Sequence, residues 1–139
     1  MNTELDTTTC DCNYIKESVF KIDRLQKDVQ KAEAVGRCVS CETSLFSSIN
    51  NTIPVTFNDG CCTISGKIGL DGDDTSVLRI ESVRCNRFVT ARLLSVTTEG
   101  ETTTVTGTNY TMIIDLDKVT AMQCFSPVNV ELCNQTTTV

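Results

Sequence analysis

Between Asn13 and Ala34, apolar side chains return at steps of three and four residues: Ile15, Val19, Ile22, Leu25 (or Gln26), Val29 and Ala32. That spacing lines one side of an α-helix. Glu17 lies four residues before Lys21, and Asp23 four before Lys27, so the opposite side carries supporting ion pairs. Asp11 or Asn13 caps the start, and Gly36 ends the helix. The stripe must bury against a sheet or against a neighbouring subunit.

Beyond Gly36 the signals change to those of strands. Candidates are Ile53–Phe57, Cys62–Leu70, Val77–Val83, Phe88–Val96, Thr102–Thr106, Met112–Leu116 and a last strand at Val128–Leu132. Turn residues separate them: Asn58-Asp59-Gly60, Asp71-Gly72-Asp73-Asp74, Glu99-Gly100 and Gly107-Thr108-Asn109. Leu78, Ile80 and Ser82 alternate with Arg79, Glu81 and Val83, which predicts one wet face. Pro54 makes the first strand an edge candidate. The expected fold is mainly β (α+β): an N-terminal amphipathic helix, then an antiparallel β-sandwich or barrel of about six to seven strands. Residues 1–12 read as a polar tail, 13–133 as a single domain and 134–139 as a second polar tail.

Composition narrows the function classes. A chain of 139 residues suits one domain and buries a core without needing disulfides. The net charge is -6 and basic residues form no cluster, which argues against a nucleic-acid partner. No stretch approaches the ~20 apolar residues of a membrane span. The N-terminus lacks the basic start and apolar middle of a secretory signal, so synthesis in a cytosol is expected. There is no histidine, which removes the commonest general acid–base group and the usual Ser-His-Asp and Cys-His arrangements. No catalytic, cofactor-binding or metal-ligating residue is assigned, and an enzyme is not expected.

Nine cysteines stand against cytosolic synthesis: Cys10, Cys12, Cys38, Cys41, Cys61, Cys62, Cys85, Cys124 and Cys133. All nine are candidates for disulfides or crosslinks. An odd count leaves at least one thiol for an intermolecular bridge or a free state. Cys38-Val39-Ser40-Cys41 is a CxxC, readable as half a zinc site, a redox dithiol, an internal disulfide or buried thiols. A second CxxC at ribbon spacing is missing, and no strand precedes the motif. Cys61 and Cys62, read as neighbours on a strand, point to opposite faces, one inward and one toward a partner. Cys10 and Cys12 on the tail suit bridges between subunits. Asp71, Asp73 and Asp74 read as an acidic turn, because Ser76 and Ser82 stand where a calcium loop needs Gly and a carboxylate. Asn50, Asn109 and Asn134 match the glycosylation acceptor triplet, which a Thr-rich chain also produces by chance.

Three segments occur in order: Cys12-Asn13-Tyr14-Ile15-Lys16-Glu17-Ser18-Val19 with Ile22 to Gln26, followed by the Cys38/Cys41 pair; Leu78-Arg79-Ile80-Glu81-Ser82-Val83 with Ala91 to Leu94; and Ile114-Asp115-Leu116 running to Ala121-Met122-Gln123-Cys124. Together they resemble the spore coat and exosporium family CotY/CotZ/ExsY. The resemblance spans about residues 12 to 130. Cys38, Cys41 and Cys124 match its cysteines best, with Cys12 next. Lys118 and Thr120 stand where the family has two further cysteines, Cys85 falls earlier than its counterpart near Phe88, and Cys10 and Cys62 are additional.

The resemblance implies a structural protein of the bacterial spore surface. Such a protein is made in the mother-cell cytoplasm without a signal peptide. It self-assembles with itself and related coat proteins, and its oligomers or lattices are locked by disulfides. Lysis of the mother cell would then expose the thiols to air, which reconciles cytosolic synthesis with cysteine richness. Two other readings are an adapter that tethers surface fibres or another coat protein, and a zinc-binding or thiol-redox domain using Cys38 and Cys41.

Overall fold

The computed structural model describes residues 13–36 and 50–131, with the side chains of 13–31 and 50–131. In chain order the elements are helix α1 (Tyr14–Gly36), strands β1 (Val55–Asn58), β2 (Gly66–Lys67), β3 (Asp74–Thr75), β4 (Leu78–Arg84), β5 (Phe88–Glu99) and β6 (Thr102–Asp115), a 3-10 turn (Leu116–Lys118) and strand β7 (Ala121–Cys124). The protein is mainly β, of α+β type. One sheet has the order β6-β5-β4-β1-β7, and β2 and β3 form a separate ribbon. All strand pairings are antiparallel.

Helix α1 begins where Asn13 caps it. Its side-chain oxygen accepts from the Lys16 N–H at 3.1 Å, and its carbonyl accepts from the Glu17 N–H at 3.1 Å. Val19 and Ile22 enter the core, with Ile15 packed beside them. At the next turn the stripe continues through Gln26, which is buried, while Leu25 is exposed. Gln26 is chosen because its amide both donates and accepts. Its Nε2 donates to the Ile80 carbonyl at 2.7 Å, and its Oε1 accepts from the Ile53 N–H at 2.9 Å. The Asp23–Lys27 pair forms at 3.0 Å.

The core face of the sheet carries Val55, Phe57, Leu78, Ile80, Val89, Ala91, Leu93 and Ile114, all buried. A flat five-stranded sheet would hold its outer strands about 19 Å apart, at ~4.8 Å per step. Here the outer strands β6 and β7 are joined by residues 116–120 alone, three of them in the compact 3-10 turn. So short a link requires the sheet to curl toward a barrel. Leu116 and Val119, within that link, are accordingly buried in the core. The core face is covered by α1 and, on the approach to and within the ribbon, by Ile64 and Ile68. At Gly66 the ribbon approaches so closely that a Cβ would sit 3.0 Å from Met112 Sδ and 3.2 Å from Leu93 Cδ2.

Several expected details shift. The Cys62–Leu70 segment is mostly irregular and contributes only the two-residue β2. Thr102–Thr106 and Met112–Leu116 merge into one strand, β6, because Gly107-Thr108-Asn109 forms an irregularity opposite Leu93 rather than a turn. A second irregularity at Glu81 interrupts the alternation in β4, so Val83 rather than Ser82 pairs with core-facing Val89. Val128 makes an isolated bridge to Thr52 instead of starting a strand. Strand β1 is internal, between β4 and β7. Pro54 precedes it, where a missing N–H breaks no ladder bond.

Candidate functional site

Of the nine candidate cysteines, the structure describes Cys61, Cys62, Cys85 and Cys124, all unbridged and all exposed. Cys10, Cys12, Cys38, Cys41 and Cys133 lie outside the described residues. Cysteine is among the residue types most often buried. Here the core is built from Val, Ile, Leu and Phe, and these four thiols stand outside it.

Cys61 and Cys62 are not strand neighbours with opposed thiols, which overturns the reading from their adjacency. They lie in the turn after β1. The Asp59 carboxylate accepts from both amides, at 3.0 Å each, and the Asp59 N–H donates to the Cys62 carbonyl at 3.1 Å. These amide bonds, from Cys62 first and then Cys61, hold the Asp59 carboxyl below its ordinary value. The two sulfurs converge to 2.6 Å. That contact, followed by desolvation and the nearby Asp59 charge, pushes the Cys62 thiol up.

Cys85 sits at the tip of the β4–β5 hairpin. The Arg87 N–H closes the turn on the Arg84 carbonyl at 3.0 Å, and both central residues are left-handed, Cys85 at φ 55 and Asn86 at φ 52. Asn tolerates that conformation, whereas Cys is strained in it. The hairpin is anchored by Arg87. Its guanidinium grips Asp115 through two bonds of 2.9 Å, reaches Asp117 at 3.1 Å and lies 5.0 Å from the Phe88 ring centre. Lys16 of α1 reaches Asp117 at 2.7 Å, tying the helix to the same corner. The Arg87 hydrogen bonds are the main cause of lowering the Asp115 carboxyl to about 2. Cys124 ends β7 opposite Val55, and partial burial pushes its thiol up.

The outer face of the sheet is not simply wet. Arg79, expected there in solvent, is 2% exposed. It faces Arg92 directly across β4 and β5, a like-charge pair that would repel. Glu81 lies between them. Its Oε2 accepts from Arg79 Nη1 at 2.6 Å and from Arg92 Nε at 2.9 Å, and its Oε1 accepts from Arg92 Nη2 at 3.3 Å. Burial raises the Glu81 carboxyl, but the bonds and charges of Arg92 and Arg79 outweigh it and leave the group below its ordinary value. Arg79 also donates to Thr52 Oγ1 at 2.9 Å and to the Asn51 carbonyl at 3.2 Å. Asn51 clasps Val130, giving its amide to the carbonyl at 2.9 Å and accepting from the N–H at 3.0 Å. Residues 50–53 and 127–131 thus strap the outer face. Gly107 leaves room for the strap, since a Cβ there would lie 2.9 Å from Val130 Cγ1. Two Arg and one Glu on facing strands were the only sequence signal of this cluster.

Among the described residues no group of three or more Cys, Asp or Glu is placed to hold a metal ion. Asp74 pairs with Lys67 at 3.3 Å, and the Asp73 carbonyl accepts from the Ile68 N–H at 2.9 Å, so these residues shape the ribbon. Asn109 is exposed on β6, Asn50 donates to the Pro127 carbonyl at 3.3 Å, and Asn134 lies outside the described residues. An open recess of about 230 Å³ is walled by Thr56, Phe57, Asn58, Thr63, Ala121, Met122 and Gln123, none of which titrates in the ordinary range. No helix among the described residues is long and apolar enough to cross a membrane. Comparison with protein-family models, curated proteins and solved structures finds no match in any of the three.

Proposed function

We propose that this chain is a structural protein of the bacterial spore surface, coat or exosporium, that self-assembles and is then locked by disulfides. The observation that carries the reading is the placement of the four described thiols. All are exposed, at the turn after β1, the β4–β5 hairpin and the end of β7, where they can meet a neighbour. A role in packing would have buried them.

The free edge of the sheet supports association before crosslinking. Strand β6 is 14 residues long and, among the described residues, is paired on one side only. Between Thr102 and Ile114 it has no charge and no proline, the devices that usually protect an edge. Ile113 on the same strand is 71% exposed. Such an edge accepts a strand from a second copy. Association would bring thiols together at high effective concentration, so bridging follows assembly.

The test is negative-stain imaging of the purified chain with and without reductant, read beside non-reducing gels. Ordered rings or sheets, with ladders that collapse on reduction, are the expected result. Monodisperse particles in both conditions would sink the lattice reading and leave the adapter.

A further inference from the structure

The exposed thiols are not equivalent. Cys85 stands at the β4–β5 hairpin tip and Cys124 at the end of β7, whereas Cys61 and Cys62 already touch, sulfur to sulfur, at 2.6 Å. The turn imposes that contact. In a strand, adjacent side chains would diverge to opposite faces. Here Gly60, at φ 100, reverses the chain, and the Asn58 side chain holds the Gly60 N–H at 2.8 Å. Asp59 then gathers both cysteine amides onto one carboxylate oxygen. Both residues remain exposed, so a small oxidant has access.

We infer that Cys61 and Cys62 form a vicinal dithiol that closes reversibly on itself under peroxide, making this turn a redox modification site within one chain rather than a link between chains. The inference goes beyond the assembly reading, because it holds for an isolated chain. Either sulfur of the contact can carry the shared proton, and the course is the same whichever attacks first; Cys61 stands for the attacking sulfur here. The Cys61 thiolate attacks one peroxide oxygen, the O–O bond breaks, and the departing hydroxide leaves as water with the proton that Cys61 gave up. Cys61 is now a sulfenic acid. The Cys62 sulfur displaces its hydroxyl, the S–S bond forms, and the Cys62 proton leaves with that hydroxyl as a second water. Two thiols lose two protons and two electrons, and one hydrogen peroxide becomes two waters.

Adjacency also makes the product labile. Consecutive Cα atoms are about 3.8 Å apart across a trans peptide. Ordinary disulfides span about 4.4–6.8 Å between Cα atoms, and departures from that range store strain and ease reduction. Such a ring reopens under mild reductant, as strained regulatory disulfides do. The crosslinks of the assembly then fall to other thiols, Cys85 and Cys124 among them.

The test uses the full chain. It is reduced, treated with hydrogen peroxide, alkylated with iodoacetamide and cleaved before aspartate. Cleavage at Asp59 and Asp71 releases a peptide of residues 59–70 whose only cysteines are Cys61 and Cys62. The expected product is this peptide unalkylated and two hydrogens lighter than the dithiol, in monomers and oligomers alike. After mild reduction it should take up two alkyl groups. Recovery doubly alkylated after peroxide, or bonded to another peptide, would overturn the inference. Non-reducing ladders read on the same sample score the assembly separately, since the Cys61→Ser/Cys62→Ser chain should still form them if other thiols crosslink.

Discussion

Leu78 and Arg79 are consecutive in β4, and both are shielded from solvent, at 0% and 2% exposure. On the core face Leu78 is hidden among aliphatic side chains, and the driving force is removal of apolar surface from water. On the outer face Arg79 is hidden because Glu81, Thr52 and Asn51 replace the hydrogen bonds that water would make. The first kind of burial tolerates any shape that fills the space. The second demands named partners at fixed distances, and it therefore decides which segment lies over the sheet. The core face makes the protein fold, and the outer face fixes the path of residues 50–53 and 127–131.

The two faces should respond differently to mutation. Arg79→Ala is expected to cost about 2–5 kcal/mol in urea unfolding, because it empties a buried site and leaves the Asn51 carbonyl and the Thr52 hydroxyl without their donor, while Glu81 keeps Arg92. Leu78→Ala should cost about 2–5 kcal/mol through lost burial and a residual cavity. The contrast lies in the repair. Replacing the whole network, with Arg79→Met, Glu81→Leu and Arg92→Met together, should destabilise less than Arg79→Ala alone. A triple variant weaker than the single one would show that the outer face is held by charge for stability and not only for placement.

Gln26→Leu is the next largest. It keeps the bulk of a core residue but orphans the Ile80 carbonyl and the Ile53 N–H, at an expected cost of about 1–3 kcal/mol. Smaller still is an acid-range effect. Asp115, lowered from 3.8 to about 2 chiefly by Arg87, contributes stability that is fully present above the unfolded value and is lost as pH falls through about 2. Glu81, also lowered, acts with the same sign. Thermal unfolding of Asp115→Asn should therefore be flatter than the parent between those two values. The smallest effect runs the other way. Cys85→Gly relieves a left-handed cysteine and should stabilise by roughly 0.5–1 kcal/mol, net of the entropy glycine adds to the unfolded chain.

Much of the architecture was legible in local pattern. The three- and four-residue stripe announced α1, and of the two cap candidates, Asp11 and Asn13, it is Asn13 that caps. Runs of Val, Ile and Thr marked β1, β4, β5 and β6 to within a few residues, apart from the false break at Gly107. The thiol sites were less legible. Cys61 and Cys62 were visible as a pair, but their convergence depends on the turn at Asn58-Asp59-Gly60 running on through them, with Asp59 holding both amides. β7 was missed, because Ala121-Met122-Gln123-Cys124 has little strand propensity of its own and exists through its ladder with β1.

The dividing line is the range of the forces. Helix period, strand alternation and capping act over a few residues, and a single sequence carries them in full. Which polar groups are buried depends on partners far along the chain. Gln26 meets Ile80 across 54 positions, Asn51 meets Val130 across 79, and Arg79 meets Thr52 across 27. Until the sheet curls and the strap closes, a buried Arg79 and an exposed one are written with the same letters. Only the packed chain supplies the carboxylate, hydroxyl and carbonyl that offset the cost of taking that charge out of water.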